Sequence, residues 1–386
     1  MPRPRALGAA STAALALSLL VGCSPQAPEP STPAPSPSPS PTVELDGVQP
    51  AGVPFDVVTG LASPWSILRI PLGDDPSAGT VTLVSERDSG DVQQVMPDGT
   101  LSRIGTVPGV VHVARTEAGL LGLAYLDDGS TRWLYAYETT ATDNRIVRIA
   151  FGAGLDISGE PEVLLKGIAK APNHDGGRIA FGPDGMLYAT VGDAKKPNRA
   201  QDPDSLNGKI LRMTPTGAVP ADNPTPGSLV YSMGHRNPQG LAWDRNGQLW
   251  AAELGQDTWD EFNRIEPGGN YGWPIVEGKA DDPRFIDPWV QWHTDKASPS
   301  GLTYLDGTFF LATLRGQRLW AIYVDDEAGT ASAVEWFAGD YGRIRDVTPG
   351  PDGSLWMLTD NTDSRGEPRE GDDRILQVRL TALVEG

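Results

Sequence analysis

One of the four histidines in this 386-residue chain has a sequence context that could make it a general base. His174 lies in a loop, residues 173–178, that leads into an apolar segment, and Asp193 follows the return segment of the same predicted hairpin. A carboxylate on one ring nitrogen leaves the other nitrogen free to accept a proton, as base catalysis requires. A loop histidine near an aspartate can also be purely structural, so both interpretations stay open on spacing alone.

A second polar cluster occupies residues 234–240, with the sequence Gly-His-Arg-Asn-Pro-Gln-Gly. Glycines at both ends permit a sharp turn of the backbone. Arg236 and Asn237 offer N–H donors to an anionic or quinonoid oxygen. For His235 we favour a hydrogen bond that stabilises the loop over a catalytic role.

Three arginines near the ends of predicted strands form a candidate anion site. Arg343 and Arg345 are two residues apart, so on a strand their side chains point to the same face, and Arg315 in the preceding repeat could join them. Planar guanidinium groups bind carboxylates through two parallel hydrogen bonds, which favours a ligand with several carboxylates. The alternative is pairing with local acids such as Asp340 or Asp346.

The loops that carry these residues flank copies of one repeated unit. Each copy has an apolar strand, a turn of the Asp-Gly or Asn-Gly type, and a second strand that begins with Leu and an aromatic residue; the clear copies are residues 179–188, 241–250 and 347–356. Six such units predict an all-β fold, a six-bladed β-propeller of four-stranded antiparallel blades. A two-sheet sandwich would finish in far fewer residues. Weaker copies turn at Asp98-Gly99, Asp128-Gly129 and Asp306-Gly307.

The N-terminal segment is predicted to direct export rather than to fold. Residues 1–22 combine two arginines with a short apolar run, which is typical of a signal peptide. The run ends at Cys23 in Leu-Val-Gly-Cys, which resembles the bacterial lipobox and predicts lipidation of this cysteine. We therefore expect an exported lipoprotein, at the cell surface or facing the periplasm. The alternative is an ordinary secretory signal with an incidental cysteine.

A tether is predicted between the lipid and the folded body. Residues 23–44 are rich in proline and serine, which hold a chain extended at about 3.1 Å per residue. The propeller itself is predicted to occupy residues 45–386. No second apolar run is long enough for a transmembrane helix, so membrane contact is expected only through the lipid anchor.

The charge of the chain excludes one class of partner. The formal net charge is −19, and loss of Arg3 and Arg5 with the signal peptide lowers it to −21. Nucleic-acid binding requires a basic surface, so we expect no nucleic-acid partner. The acidic balance otherwise indicates only solubility.

Taken together, these segments resemble the soluble PQQ-dependent sugar dehydrogenases, the glucose/sorbosone dehydrogenase family with its aldose sugar dehydrogenase branch. The resemblance runs from about Phe55 to Val378. It is carried by an ordered series of segments at family-like spacing: residues 119–124, 174–193, 234–240, 253–257, 260–261, 269–274, 297–301 and 343–360.

The resemblance implies roles for the loop residues in sugar oxidation. His174 matches the base that removes the proton of the anomeric hydroxyl while the hydride leaves C1 for the quinone. Asp193 matches the carboxylate that orients this histidine. Arg236 matches an arginine near the developing oxyanion of the quinone, and Asn237 lies beside it against the cofactor.

The resemblance also implies where the cofactor and a calcium ion bind. Arg315, Arg343 and Arg345 match cationic positions around the carboxylates of PQQ. Gly255 and Gln256 match positions whose backbone carbonyls bind calcium, a hard cation that suits oxygen ligands. The metal would polarise the quinone carbonyl and orient the cofactor.

Departures from the family pattern concern the substrate and the metal loop. Asn173 stands where the glucose enzymes carry an acid, and Glu117 where a glutamine that can contact the sugar is frequent. Leu254 and Gln256 replace the Gln and Pro of the usual run. The chain also lacks the long insertions of the glucose enzymes, which favours the aldose branch. The expected reaction is oxidation of an aldose to a lactone, with an external acceptor such as a quinone, cytochrome or dye.

Two other functions are compatible with a propeller. A non-catalytic, surface-displayed propeller could bind sugars or a protein partner, because fold alone does not define function. A calcium-dependent lactonase would need side-chain carboxylates that converge on the metal, and the sequence offers no such set.

Overall fold

The computed structural model describes residues 44–72, 79–152, 154–157 and 159–384. Within these ranges the chain forms 24 strands in six four-stranded sheets, and every strand pairing in the sheets is antiparallel. The predicted all-β fold and the predicted number of blades are confirmed.

The strands follow one another along the chain with short connections. Helical structure in the described ranges is limited to two 3-10 turns, Pro197–Gln201 and Pro351–Gly353. The strands are β1 (Glu44–Thr59), β2 (Pro64–Pro71), β3 (Thr80–Glu86), β4 (Asp91–Val95), β5 (Leu101–Thr106), β6 (Leu120–Asp127), β7 (Arg132–Thr139), β8 (Asn144–Ala150), β9 (Glu162–Ile168), β10 (Ile179–Phe181), β11 (Leu187–Val191), β12 (Lys209–Met213), β13 (Val230–Met233), β14 (Pro238–Trp243), β15 (Leu249–Glu253), β16 (Trp259–Arg264), β17 (Val290–His293), β18 (Pro299–Leu305), β19 (Thr308–Thr313), β20 (Leu319–Asp325), β21 (Thr330–Trp336), β22 (Ile344–Pro349), β23 (Leu355–Thr359) and β24 (Arg374–Val384).

Five blades each consist of four consecutive strands, β2–β5, β6–β9, β10–β13, β14–β17 and β18–β21. The sixth blade combines β22, β23 and β24 with β1, so both ends of the body meet in one sheet. The two outer strands of that sheet run antiparallel, with Thr59 opposite Arg374 and Val48 opposite Ala382. The ring is therefore closed by hydrogen bonds between the first and last strands.

The repeated turn has a direct structural role. In the 241–250 copy, the Asp244 carboxylate accepts the backbone N–H of Asn246 and Gln248 and the ring N–H of Trp250, the last at 3.1 Å. In the 179–188 copy, the Tyr188 hydroxyl donates to Asp184 at 2.9 Å. The turn aspartate thus holds both the hairpin and the aromatic side chain that packs between blades.

Each blade packs against its neighbours through buried apolar side chains. One such cluster lies between β14–β17 and β18–β21, where Trp250 stacks on Phe262 with ring centroids 4.9 Å apart and Phe309 contacts Phe262 at 5.2 Å. Apolar side chains reach these clusters because successive side chains of a strand point to opposite faces of its sheet, so every second one faces the neighbouring blade.

A buried arginine connects the inner strands of several blades near the centre of the ring. Arg178 donates to Asp346 at 2.9 Å and to the carbonyl of Gln239 at 3.0 Å, and its guanidinium lies 4.3 Å from the ring centroid of Trp65. These partners belong to the innermost strands of three other blades, so the side chain crosses the axis. An ion pair in this position fixes the spacing of the inner strands on which the functional loops depend.

Replacement of Phe262 by Ala tests the packing between blades. The side chain is fully buried, and loss of a buried aromatic ring costs about 3–5 kcal/mol. We expect the free energy of unfolding from urea titration to fall by that amount. Val334→Ala is the control, because this valine is 46% exposed and its loss should change stability by about 0.5 kcal/mol or less. Equal losses in the two variants would contradict the packing assignment.

Candidate active site

A cavity of about 190 Å³ opens on the face of the ring where the inner strands begin. Its walls come from the loops that precede β10, β14 and β18 and from neighbouring connections. The lining residues are Glu117, Asn173, His174, Arg236, Asn237, Leu254, Gly255, Gln256, Asp260, Thr294, Ser298, Arg315 and Arg365. The cavity therefore contains the predicted base, both predicted substrate residues and both predicted metal-loop residues.

The histidine and the aspartate singled out in the sequence are in direct contact. His174 Nδ1 lies 2.7 Å from Asp193 Oδ1, and the Asp193 side chain is fully buried. The carboxylate is held in turn by the ring N–H of Trp273 at 2.9 Å and by the backbone N–H of Lys195 at 2.7 Å. The predicted hairpin geometry is present, and the acid is fixed from two further sides.

The second ring nitrogen of His174 faces a cation. Arg236 Nη2 lies 2.8 Å from His174 Nε2. A guanidinium can only donate hydrogen bonds, so Nε2 must carry its lone pair and Nδ1 must carry the proton that is donated to Asp193. The arrangement is that of a neutral histidine whose Nε2 lone pair accepts an N–H of Arg236.

The backbone around His174 is held in an unusual conformation. Its φ angle of 68° lies in the left-handed region, which costs free energy for a residue other than glycine. Glu117 compensates, since its carboxylate accepts the backbone N–H of His174 at 2.9 Å and of Asp175 at 3.3 Å. A Cβ atom at Gly192 would lie 2.0 Å from the His174 carbonyl oxygen, so only glycine permits this approach. Glu117 thus positions the base as well as lining the cavity.

Two groups in the cavity have unused hydrogen-bond donors. The Asn237 side chain is buried and accepts the backbone N–H of Gly176 at 3.0 Å, but its Nδ2 donor has no partner. Arg315 is exposed at the cavity wall and, within the described part of the chain, forms no hydrogen bond or ion pair. Free amide and guanidinium donors in one cavity fit a ligand with carbonyl and carboxylate oxygens.

The other two predicted cofactor arginines are already paired. Arg343 lies 2.7 Å from Asp363, and Arg345 donates to Asp360 at 2.7 Å; both arginine side chains are buried. Both arginines therefore pair with acidic residues, as the alternative interpretation expected, but the partners are Asp363 and Asp360 rather than Asp340 and Asp346. Contact of Arg343 and Arg345 with a cofactor stays a prediction.

His235 has the structural role favoured from the sequence. It is fully buried and lies 2.8 Å from the Ser232 hydroxyl and 3.1 Å from a carboxylate oxygen of Glu253. The other oxygen of Glu253 accepts the backbone N–H of Arg236 at 2.8 Å. The loop is thereby held so that the Arg236 side chain reaches His174.

The predicted metal loop presents backbone carbonyls rather than side-chain ligands. A Cβ atom at Gly255 would lie 1.7 Å from the Trp259 carbonyl oxygen, so the tight loop requires glycine there. The Gly255 and Gln256 carbonyls accept no hydrogen bond from any described residue. No group of three or more His, Cys, Asp or Glu side chains that could hold a metal occurs in the described ranges. Carbonyl oxygens are ligands that calcium accepts, so the loop fits this ion.

A buried carboxyl supports the same loop. Asp260 accepts the backbone N–H of Gly255 at 2.9 Å and that of Ser298 at 2.5 Å. Burial raises the pKa of Asp260 to about 6. This group links the metal loop to the loop before β18.

Several residues of the site could not be singled out from the sequence. Arg365 lies in the connection between β23 and β24, lines the cavity and reaches Glu117 at 3.6 Å. Trp273 is in a segment that carried the resemblance, but its contact with Asp193 joins residues 80 positions apart. Contacts at that separation exist only after the neighbouring blades have packed against each other.

The glucose/sorbosone dehydrogenase family model matches residues 61–367. The chain belongs to this family. The chain is similar to the solved structure of the PQQ-bound aldose sugar dehydrogenase from Streptomyces coelicolor, with a TM-score of 0.80. The two sequences are 46% identical, and the match covers 88% of this chain and 100% of that chain. The resemblance stated from the sequence is confirmed.

Curated relatives match over shorter spans. Quinoprotein glucose dehydrogenase B from Acinetobacter calcoaceticus is 35% identical over 52% of this chain and 49% of that protein. Aldose sugar dehydrogenase YliI from Escherichia coli strain K12 is 32% identical over 50% of this chain and 59% of that protein. The chain thus matches about half the length of each of these two relatives.

The carboxyl group that follows His174 should make stability depend on pH. Burial, and secondarily Glu117, raise the pKa of Asp175 from 3.8 to about 7. Between these values the folded state binds more protons at Asp175 than the unfolded state, so the contribution of this group to stability falls as pH rises from about 4 to 7. Asp175→Asn lacks this loss, and we expect its stability relative to the wild type to increase by on the order of 3 kcal/mol over that range.

Urea unfolding at several pH values between 4 and 8 measures this difference. Asp204→Asn is the control, because Asp204 is exposed and should give a constant difference from the wild type. A pH-independent difference for Asp175→Asn would show that the carboxyl is not perturbed.

Proposed function

We propose that this protein oxidises aldose sugars at C1 to lactones with bound PQQ and calcium, and passes the electrons to an external acceptor. The observation that carries this proposal is the contact of His174 with Asp193 on one nitrogen and with a cation on the other. Family membership and the similarity to PQQ-dependent dehydrogenases of glucose and aldoses support the substrate class and the cofactor.

The His174 side chain would accept the proton of the anomeric hydroxyl at Nε2. Asp193 keeps the other ring proton in place and stabilises the positive charge that the ring gains. Arg236 stands beside the same nitrogen, where it can donate to an oxygen that becomes negative during oxidation. Loss of the hydroxyl proton and of the C1 hydride converts the hemiacetal carbon into the lactone carbonyl.

The cavity offers separate contacts to a cofactor and to a metal. Asn237 and Arg315 would donate to cofactor oxygens through their unused N–H groups, and the Gly255 and Gln256 carbonyls would ligate calcium. When bound, PQQ supplies the two-electron acceptor for the sugar and calcium supplies a Lewis acid. Glu117 and Asn173 also line the cavity and would contact the sugar.

We also propose that the protein is an exported lipoprotein anchored at Cys23, a residue outside the described ranges. No helix in the described part of the chain is long and apolar enough to cross a membrane.

Reconstitution of the purified protein tests the proposed reaction. Cofactor-free protein is mixed with PQQ and calcium chloride, and the cofactor absorbance is recorded before and after addition of a panel of aldoses. We expect saturable PQQ binding, reduction of the bound cofactor by sugar, and loss of both when calcium is replaced by a chelator. Activity that survives chelation would remove calcium from the proposal, and absence of PQQ binding would favour a non-catalytic propeller.

Substitution of the base separates catalysis from cofactor binding. In His174→Ala the proton acceptor is lost, and we expect turnover to fall by about 100- to 10,000-fold while PQQ still binds. His112→Ala is the matched control, because His112 lies in a loop on the same face but not in the cavity lining. A His174→Ala variant that keeps most of its rate would overturn the assignment of the base.

A further inference from the structure

One carboxylate oxygen gathers the backbone N–H groups of the proposed calcium loop. Glu277 Oε1 accepts from the backbone nitrogens of Gln256 at 2.6 Å, Asp257 and Thr258 at 3.1 Å, and Trp259 at 3.2 Å. Gln256, Asp257 and Thr258 are exposed, so the loop has little packing of its own. A single side chain thus determines the orientation of four successive peptide groups.

Because the peptide group is planar, the contact with its N–H also sets the direction of its carbonyl oxygen. In a trans peptide the C=O points away from the N–H of the same unit. The N–H of Gln256 shares its peptide with the Gly255 carbonyl, and the N–H of Asp257 shares its peptide with the Gln256 carbonyl. Glu277 therefore holds both proposed ligand peptides by their N–H ends and directs their carbonyl oxygens away from itself.

The position of Glu277 is itself fixed. The adjacent residue, Gly278, donates its backbone N–H to the buried carboxyl of Glu261 at 2.7 Å. A Cβ atom at Gly278 would lie 2.6 Å from the Trp259 ring, so glycine lets this segment approach the loop closely. The backbone next to Glu277 is therefore held by Glu261, a residue of β16 outside the loop segment that Glu277 contacts.

The same loop is connected to the proposed base. The Gln256 side-chain oxygen accepts from Arg236 Nε at 3.0 Å and from Nη2 at 2.8 Å. Arg236 Nη2 also contacts His174 Nε2. A shift of the loop would therefore also displace the guanidinium beside the base.

We infer that Glu277 is the positioning residue of the calcium loop: it directs the Gly255 and Gln256 carbonyls toward the ion and increases their negative charge by hydrogen bonding at the N–H ends of the same peptides. This role rests on the proposed function only in its assignment of calcium to that loop. Hydrogen-bonded partners of metal ligands typically contribute about 10- to 100-fold to metal affinity.

Calcium titration of the cofactor-free full chain by calorimetry tests the inference. We expect Glu277→Ala to bind calcium chloride about 10- to 100-fold more weakly than the wild type, and Glu277→Gln, which keeps an acceptor oxygen without its charge, to lie between them. Glu327→Gln removes one charge from an exposed turn between β20 and β21 and should bind as the wild type does. PQQ binding by the Glu277 variants should recover at high calcium, which a general loss of structure would not allow.

The melting temperature of each variant without metal identifies a variant that fails to fold, and Glu277→Gln then decides the question. Wild-type affinity in the folded Glu277 variants would overturn the positioning role and leave the proposed function intact. A wild type that takes up no calcium would overturn the calcium assignment and the role of Glu277 together. In that case the PQQ and sugar measurements would still test the dehydrogenase separately.

Discussion

Closure of the ring by β1 against β24 is the constraint on which the rest of the structure depends. The candidate site is shared among loops that precede the inner strands of different blades, so no single blade contains it. Once the first and last strands pair, the blades can no longer separate, and the ion pair between Arg178 and Asp346 sets the distance across the centre. The contact of His174 with Arg236, on neighbouring blades, depends on that spacing.

Within this frame, carboxylates are used mainly to hold backbone and base rather than to bind ligands directly. Glu117 accepts the N–H of His174, Glu253 that of Arg236, and Glu277 those of the metal loop. Each of these bonds is charge-assisted and therefore stronger than a bond between neutral groups. An acidic chain can thus build a precise site in which the free donors are an asparagine and an arginine, both suited to an anionic ligand.

Contacts within one hairpin could be predicted from the sequence, whereas contacts that depend on the path of a longer connection could not. The turn aspartates and the following aromatic residues are local signals, so the number of blades could be predicted from them. His174 and Asp193 flank a single hairpin, and their contact follows from its geometry. Glu277, by contrast, contacts a loop about 20 residues away through its side chain, and nothing in the spacing indicates this. The pairing of Arg343 with Asp363 likewise depends on a connection whose path no local pattern specifies.

The single lone pair of His174 Nε2 sets a condition on any reaction at this site. In the structure it accepts an N–H of Arg236, and one lone pair cannot accept that N–H and a sugar hydroxyl proton together. A sugar must therefore displace the guanidinium from the base, and the cost is lowest if another oxygen acceptor is available to Arg236 nearby. Gln256 already supplies one such oxygen, at 2.8 Å from the same Nη2 atom. The metal loop thus offers the alternative partner that lets the base become accessible without leaving a buried cation unpaired.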